Sequence, residues 1–389
     1  MISQKSNTNR ITLATILLCA VWTALSVVAS GNPAHANEDG PRVLAVPENE
    51  PLIIPHDAGI RIFDVGDIPD RDETRIEFPH LARFDGHWYC SFREGEIHGN
   101  HITGRARVIR SADGVDWETV ALFESDTGDV RDPRLSVTGT GALMLNASIR
   151  FIEEVAPFET FEGQPIERQS VTWLSMDGLD WSGPYACPSG INTWRWDVAW
   201  HEGVAYSVGY SGKDLDGTLY RSEDGRTWTT VKQNLFPGGH GNEAALTFGH
   251  DGTFYALLRA GLGAHVSFGT AAPPYAQWDW RELDAYWDGP EHRQPARTIE
   301  GIERDLGGPK IITLSDGRLV GAGRVRGEVR ANYFVIDPEE GVLTRLVGVL
   351  DGSSYPGMVE HEGDLWITYI GRRGGAGPVY FARVQLPAP

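Results

Sequence analysis

The chain has 389 residues, 41% of them hydrophobic and 22% charged, and a formal charge of −19. That acidity argues against nucleic acid and against anionic membrane surfaces as partners, because both require a basic face. With three cysteines and no Cys-x-x-Cys or His-Glu-x-x-His spacing, neither a disulfide scaffold nor a familiar zinc site is expected, and no metal or cofactor is assigned.

The first 36 residues read as a secretory signal. Lys5 and Arg10 precede an apolar run from Ile11 to Ser30, and Ala34-His35-Ala36 offers a small-x-small cleavage site. The run is of spanning length, so an uncleaved anchor is the competing reading. Cys19 follows Leu18 rather than a small residue, so lipid modification is not expected. Cleavage after Ala36 predicts a secreted or periplasmic protein, and loss of Lys5 and Arg10 takes the formal charge to −21. An anionic substrate must then meet a local basic cluster. Residues 37–58 are Pro-rich and read as an extended lead-in.

From residue 59 onward the sequence predicts one all-β domain. A hairpin recurs six times, at 81–93, 135–150, 198–210, 245–259, 311–324 and 358–372. Each copy is an extended apolar run, a turn centred on Gly86, Gly141, Gly203, Gly252, Gly317 or Gly363, and a second run. The turn glycines lie 46 to 65 residues apart. A strand–turn–strand unit at this period indicates a β-propeller, here of six blades. The sixth blade has only three strands before the chain ends, the last near 379–386. An open edge is a liability, so Gly59–Val65 is expected to supply the closing strand.

Three outer turns share a pattern: Ser111-Ala112-Asp113-Gly114-Val115-Asp116-Trp117, and its counterparts at 175–181 and 222–228. Asp and Ser side chains bond turn amides and Gly takes the positive φ, so the pattern is read as structural. Cys90 and Cys187 sit in different repeats and read as free thiols, with a pair as the alternative. Asp126-Thr127-Gly128-Asp129 lacks the rest of a calcium loop.

The first strand of each blade lines a propeller's channel. Residues just before that strand and just after the second therefore ring one mouth, opposite the Gly turns. The first blade gives Glu77, His80, Arg93, Glu94 and His98, and the second Asp132 and Arg150. Trp194, Arg195, Trp196 and Asp197 come from the third, and His240, Glu243 and Arg259 from the fourth. Lys310 and Arg324 come from the fifth, and Tyr355, Arg372 and Arg373 from the sixth. A basic cluster interleaved with carboxylates, Tyr and Trp in an acidic protein suits an anionic sugar.

These motifs together resemble the sialidase superfamily, the secreted bacterial proteins with Asp boxes and BNR repeats. The outer turns are similar to its Asp box, one residue shorter between Asp and Trp. Asn242-Glu243-Ala244-Ala245-Leu246, with Arg259 after it, resembles the segment carrying a Glu and one carboxylate-binding arginine. Ser354-Tyr355-Pro356-Gly357 resembles the segment of the nucleophilic Tyr, and Arg131-Asp132-Pro133 a strand-opening motif of the second blade. Two departures stand out. Glu77-Phe78-Pro79 occupies the place of the family's Arg-Ile-Pro, and the loop of the acid/base residue offers His98, Glu94 and Glu96. The resemblance implies a carboxylate-binding triad of basic residues, whose third position has Arg304, Lys310 and Arg324 as candidates.

The resemblance implies an exo-α-sialidase-type glycoside hydrolase acting on an acidic sugar or glycan. Tyr355, Glu243, His98 and Asp132 are its candidate catalytic residues, and Arg93, Glu94, Trp194, Arg195, Arg259, Lys310 and Arg324 its candidate substrate ligands. A neutral phenol avoids repulsion from a carboxylate-bearing sugar, and sialidases are the Tyr exception among glycosidases. Two readings compete: a polysaccharide lyase on a uronate polymer, using His98 and Tyr355, and a non-catalytic glycan-binding propeller.

Overall fold

The computed structural model of the chain describes residues 40–68, 75–99, 101–211, 216–236, 238, 241–260, 266–286, 306–325, 329–371 and 377–388. The signal segment 1–36, and the mouth candidates His240, Arg304, Arg372 and Arg373, lie outside the described residues. Among the described residues, no helix is long and apolar enough to cross a membrane.

Six antiparallel blades form a ring, the fourth and fifth joined by parallel pairing of Asp284 with Val342 and Tyr286 with Thr344, and each expected hairpin is the inner pair of one blade. The inner strands are Arg75–Phe84, Gly128–Val137, Trp194–His201, Gly241–Phe248, Gly307–Thr313 and Gly352–His361. Each contacts the next, and the sixth contacts the first. All six turn glycines have φ between 71° and 89°, which L side chains rarely adopt. The closing strand is Ile60–Phe63, antiparallel to Val379–Gln385, with Val379 opposite Phe63 and Phe381 opposite Ile60. The lead-in is more than a tether. Val43–Ala45 runs parallel to Val379–Gln385 of the sixth blade, and Leu52–Ile54 runs parallel to Val342–Leu350 of the fifth. Alternation alone did not reveal these three-residue strands.

Each pair of adjacent blades encloses its own apolar cluster. Trp88, Phe92, Trp366 and Phe381 join the sixth blade to the first, and Tyr89, Val108, Leu145 and Trp173 join the first to the second. The Asp-box turns dock here. Asp113 Oδ1 accepts the N–H groups of Val115 and Asp116 at 2.8 and 3.0 Å, and Asp177 and Asp224 repeat the arrangement. A Cβ on Gly178 would lie 2.0 Å from Tyr89 Oη on the preceding blade. The turn is thus an inter-blade contact. Cys90 and Cys187 are free thiols, and the first is buried.

One feature repeats in all six inner strands. Pairing slips between Glu77 and His80, Arg131 and Arg134, Arg195 and Val198, Gly241 and Ala244, Gly307 and Lys310, and Ser353 and Gly357. These are β-bulges on the channel strand, which bend it and re-aim a side chain. Proline, which cannot serve a ladder, sits in four of them as Pro79, Pro133, Pro309 and Pro356. The residue before each of these prolines has positive φ: Phe78 60°, Asp132 51°, Gly308 60° and Tyr355 68°. The bulges form a ring at the end of the channel opposite the Gly turns.

Candidate functional site

The ring of bulges brings Tyr355 and Glu243 together from blades six and four. The Tyr355 hydroxyl donates to Glu243 Oε1 at 2.8 Å. Arg259 Nη1 donates to the same oxygen at 3.0 Å, and the Gly308 N–H to Oε2 at 2.8 Å. Glu243 is therefore clamped from three sides, with both oxygens in use. Burial pushes the Tyr355 phenol well above its ordinary pKa, and the nearby Glu243 and Asp132 charges add to this. The proton therefore stays on Tyr355. Arg259 and Arg324 oppose the rise, and the Arg324 guanidinium carbon lies 5.9 Å from the Tyr355 ring centroid. The ring also packs on Phe78 at 4.6 Å and Trp196 at 5.5 Å. Gly308 lets it lie there, since a Cβ at 308 would be 2.4 Å from Tyr355 Cδ1.

Asp132 occupies the second blade's bulge and is 3% exposed. Its carboxyl is raised to about 7, first by burial and then by the Glu243 charge, against the pull of Arg131 and Arg134. A carboxylic acid half-protonated near neutrality is what proton transfer to a leaving oxygen requires.

Beneath this ring the channel is filled. Lys310 Nζ pairs with Asp197 Oδ2 at 3.2 Å across the channel, and both are buried. His80 Nδ1 accepts the Leu135 N–H at 3.2 Å. Burial, with Lys310 and Arg134 beside it, holds His80 well below the ordinary histidine pKa, so it is neutral. Lys310 is corrected from substrate ligand to channel filler: the bulge at Gly307 shifts it one layer down.

The first-blade candidates separate sharply. His98 Nδ1 meets Glu77 Oε1 at 2.6 Å, and its side chain is 57% exposed at the rim. Burial raises the Glu77 carboxyl, but the His98 hydrogen bond and the Arg93 and Arg75 charges outweigh it and leave its pKa lowered. Arg93 is corrected. Nε and Nη2 hold both oxygens of Asp129 at 2.8 and 2.9 Å, Nη1 holds Glu77 and the Ile97 carbonyl, and Nη2 also holds the Gly99 carbonyl. A guanidinium has five N–H donors, and all are committed. Arg93 organises the 95–99 loop and has no donor left for substrate. Glu94 is also corrected: it is buried and holds Arg105 and Arg107 on the neighbouring strand.

Arg195 does not reach the mouth either. Strand alternation turns it away between Trp194 and Trp196. It lies 1% exposed, with its guanidinium carbon 5.1 Å from the Trp228 ring centroid and Nη2 on the Ser170 carbonyl at 3.3 Å. Trp194 stays at the mouth, with its ring parallel to Tyr210. Sequence reasoning missed Arg131, Arg134, Arg168, Phe78 and Tyr210. Arg134 packs 4.2 Å over Trp196 and 5.8 Å from Tyr355. The run of X-Pro dipeptides in the inner strands was the available signal, since it marks bulges.

The sequence matches no family model, and no curated protein resembles it in sequence. Solved structures do resemble it in fold. A Dyadobacter fermentans protein of unknown function superposes with a TM-score of 0.65 at 16% identity, covering 83% of this chain and 96% of that one. An α-L-arabinofuranosidase from Fusarium graminearum gives 0.61 at 12%, covering 84% and 97%. The intramolecular trans-sialidase of Ruminococcus gnavus gives 0.58 at 12%, covering 80% and 94%. The chain has a six-bladed propeller fold, the fold that these sialidases and arabinan-degrading enzymes share.

Proposed function

We propose that the protein is a secreted glycoside hydrolase of the sialidase type, acting on an acidic sugar through Tyr355. The observation that carries this is the buried 2.8 Å hydrogen bond from the Tyr355 hydroxyl to Glu243. Glu243 takes the phenolic proton as Tyr355 Oη attacks the anomeric carbon and the glycosidic C–O bond breaks. Asp132, half-protonated at neutral pH, delivers its proton to the departing oxygen. It then takes a proton from the water that cleaves the glycosyl–tyrosine bond, and Glu243 returns its proton to the phenolate. Arg259 keeps Glu243 oriented, and Arg324 faces the same ring from the fifth blade. The fold neighbours, a trans-sialidase and an arabinofuranosidase among them, support the reaction class.

The test is Tyr355→Phe, assayed on sialosides, uronides and sulfated glycans. Turnover should fall by at least about a thousandfold while circular dichroism and ligand binding stay unchanged. Near-wild-type turnover would exclude Tyr355 as nucleophile.

A further inference from the structure

Beside the reaction centre, on the second and third blades, is a cluster that the proposed chemistry does not use. Arg150, on strand Leu143–Phe151, and Arg168, on strand Arg168–Ser175, are direct cross-strand partners. Like charges placed opposite one another weaken a sheet. Among the described residues no carboxylate forms a close ion pair with either guanidinium, and the Glu167 charge beside Arg168 does not offset burial and Arg150, although the chain has 53 acidic residues and only 34 basic ones. Burial first, and then Arg150, lower the Arg168 pKa, so its charge is held at a cost. A fold that tolerates this in an acidic protein keeps the pair for something other than stability.

The surroundings say what that is. The Arg168 guanidinium carbon lies 5.1 Å from the Trp194 ring centroid, and that of Arg131 lies 5.6 Å from it. Trp194 and Tyr210 are cross-strand partners with rings 3° from parallel. Tyr210 stacks on Trp194 with ring centroids 6.0 Å apart, so the pair makes an aromatic wall beside the guanidinium groups. Arg131 also lies 5.5 Å from the Phe78 ring, which packs on Tyr355, so the cluster is continuous with the reaction centre. Arg259 and Arg324 stand on the fourth and fifth blades respectively, across the mouth.

We infer that Arg150, Arg168 and Trp194 form a second sugar subsite, which binds an anionic residue next to the one that is cleaved. The sugar ring packs against the Trp194–Tyr210 wall and its carboxylate or sulfate ester takes the paired guanidinium groups. This rests on the hydrolase reading and deepens it: the substrate is a glycan with charge on neighbouring residues, not a neutral chain capped by one acid.

Binding tests it without turnover. Titration calorimetry would use methyl β-D-glucuronide, D-glucose 6-sulfate and neutral methyl β-D-glucoside as probes. Wild type should bind at least one charged probe, more weakly as salt rises, and the neutral one at least tenfold less well. The charged probe that binds identifies the carboxylate or the sulfate ester as the anion. Arg150→Gln and the double change with Arg168→Gln should lose at least tenfold for that probe, and Tyr355→Phe should lose none. Because the arginines repel, Arg150→Gln should melt no lower than wild type. The inference is overturned by equal binding of the neutral sugar, by binding unchanged in the double variant, by no charged probe binding, or by Arg150→Gln melting well below wild type. Retained turnover in Tyr355→Phe would instead overturn the hydrolase reading and leave the subsite standing.

Discussion

The two sides of the mouth treat their charges in opposite ways. On the first-blade side, Arg93, Asp129 and Glu77 form a closed lattice in which every guanidinium donor has an acceptor. Across from it, Glu243 is clamped but shares one oxygen with a phenol that still holds its proton, and Arg324 faces that phenol. Asp132, beside them, is a carboxyl that burial raises to about 7, so it holds its proton about half the time near neutrality. Both sides are rich in charge and both lie at the mouth. What separates scaffold from proposed reaction centre is whether a group has capacity left.

The largest expected effect is at Asp132. Asp132→Asn should cut kcat/KM by about a hundred- to ten-thousandfold, the usual worth of a general acid. In wild type, activity should fall as pH rises past about 7, where Asp132 loses its proton. The residual activity of the variant should lack that limb. Stability gives an independent sign. The folded value is raised to about 7 against an unfolded value of about 3.9. The unfolded chain therefore releases this proton first, and the group's contribution to stability falls between those pH values and levels off above them. Asp132→Asn should thus raise Tm at pH 8 and leave it unchanged at pH 4. An Asn variant that keeps the alkaline limb removes Asp132 as the acid.

The saturated lattice predicts a different loss. Arg93→Gln leaves Asp129 and Glu77 buried without their partner, and breaking such a pair costs about 3–5 kcal/mol. Arg324→Gln should move stability by less than about 0.5 kcal/mol, because among the described residues no buried carboxylate depends on Arg324. Urea unfolding of the two variants measures the contrast directly, and similar losses would erase it. Gly308→Ala is smaller and falls on activity. Its Cβ would press on the Tyr355 ring at 2.4 Å. A displacement of about 1 Å costs on the order of a hundredfold in rate, so kcat should drop without a matching loss of substrate binding.

Much of this architecture is written in the sequence because it repeats. Six Gly turns with extended runs around them require six blades, and three strands in the last blade require a fourth from elsewhere, which Ile60–Phe63 provides. The nearness of Tyr355 and Glu243 follows from their shared position at the start of inner strands. What the repeat hides is where each side chain points. A bulge breaks the period of two, so counting along the strand sends Lys310 and Arg195 to the mouth when one fills the channel and the other lies under Trp228. Arg93 lies on the first blade's inner hairpin, but nothing local in sequence announces Asp129, Ile97 and Gly99 as its partners. Arg168 was missed for the converse reason: it opens a third strand, outside the inner hairpins that drew attention.

The smallest expected effect decides between two chemistries. His98 sits at the rim with Nδ1 tied to Glu77 at 2.6 Å, which fixes the ring and leaves Nε2 facing outward. A lyase would pair such a histidine with Tyr355 as base and acid. Tyr355 instead gives its hydrogen bond to Glu243, and Phe78 packs against both rings, at 6.0 Å from His98 and 4.6 Å from Tyr355. With Asp132 as acid, His98 only positions substrate through a single exposed hydrogen bond. His98→Gln should then raise KM a few-fold and lower kcat by less than about tenfold, the worth of one such bond. The alkaline limb set by Asp132 should persist, and no product should absorb near the wavelength of a new C=C bond. If kcat instead fell by about a thousandfold and wild-type product carried that double bond, His98 would be the base. Tyr355 would then be an acid rather than a nucleophile, and the unsaturated side of the mouth would extend across Phe78 into the first blade.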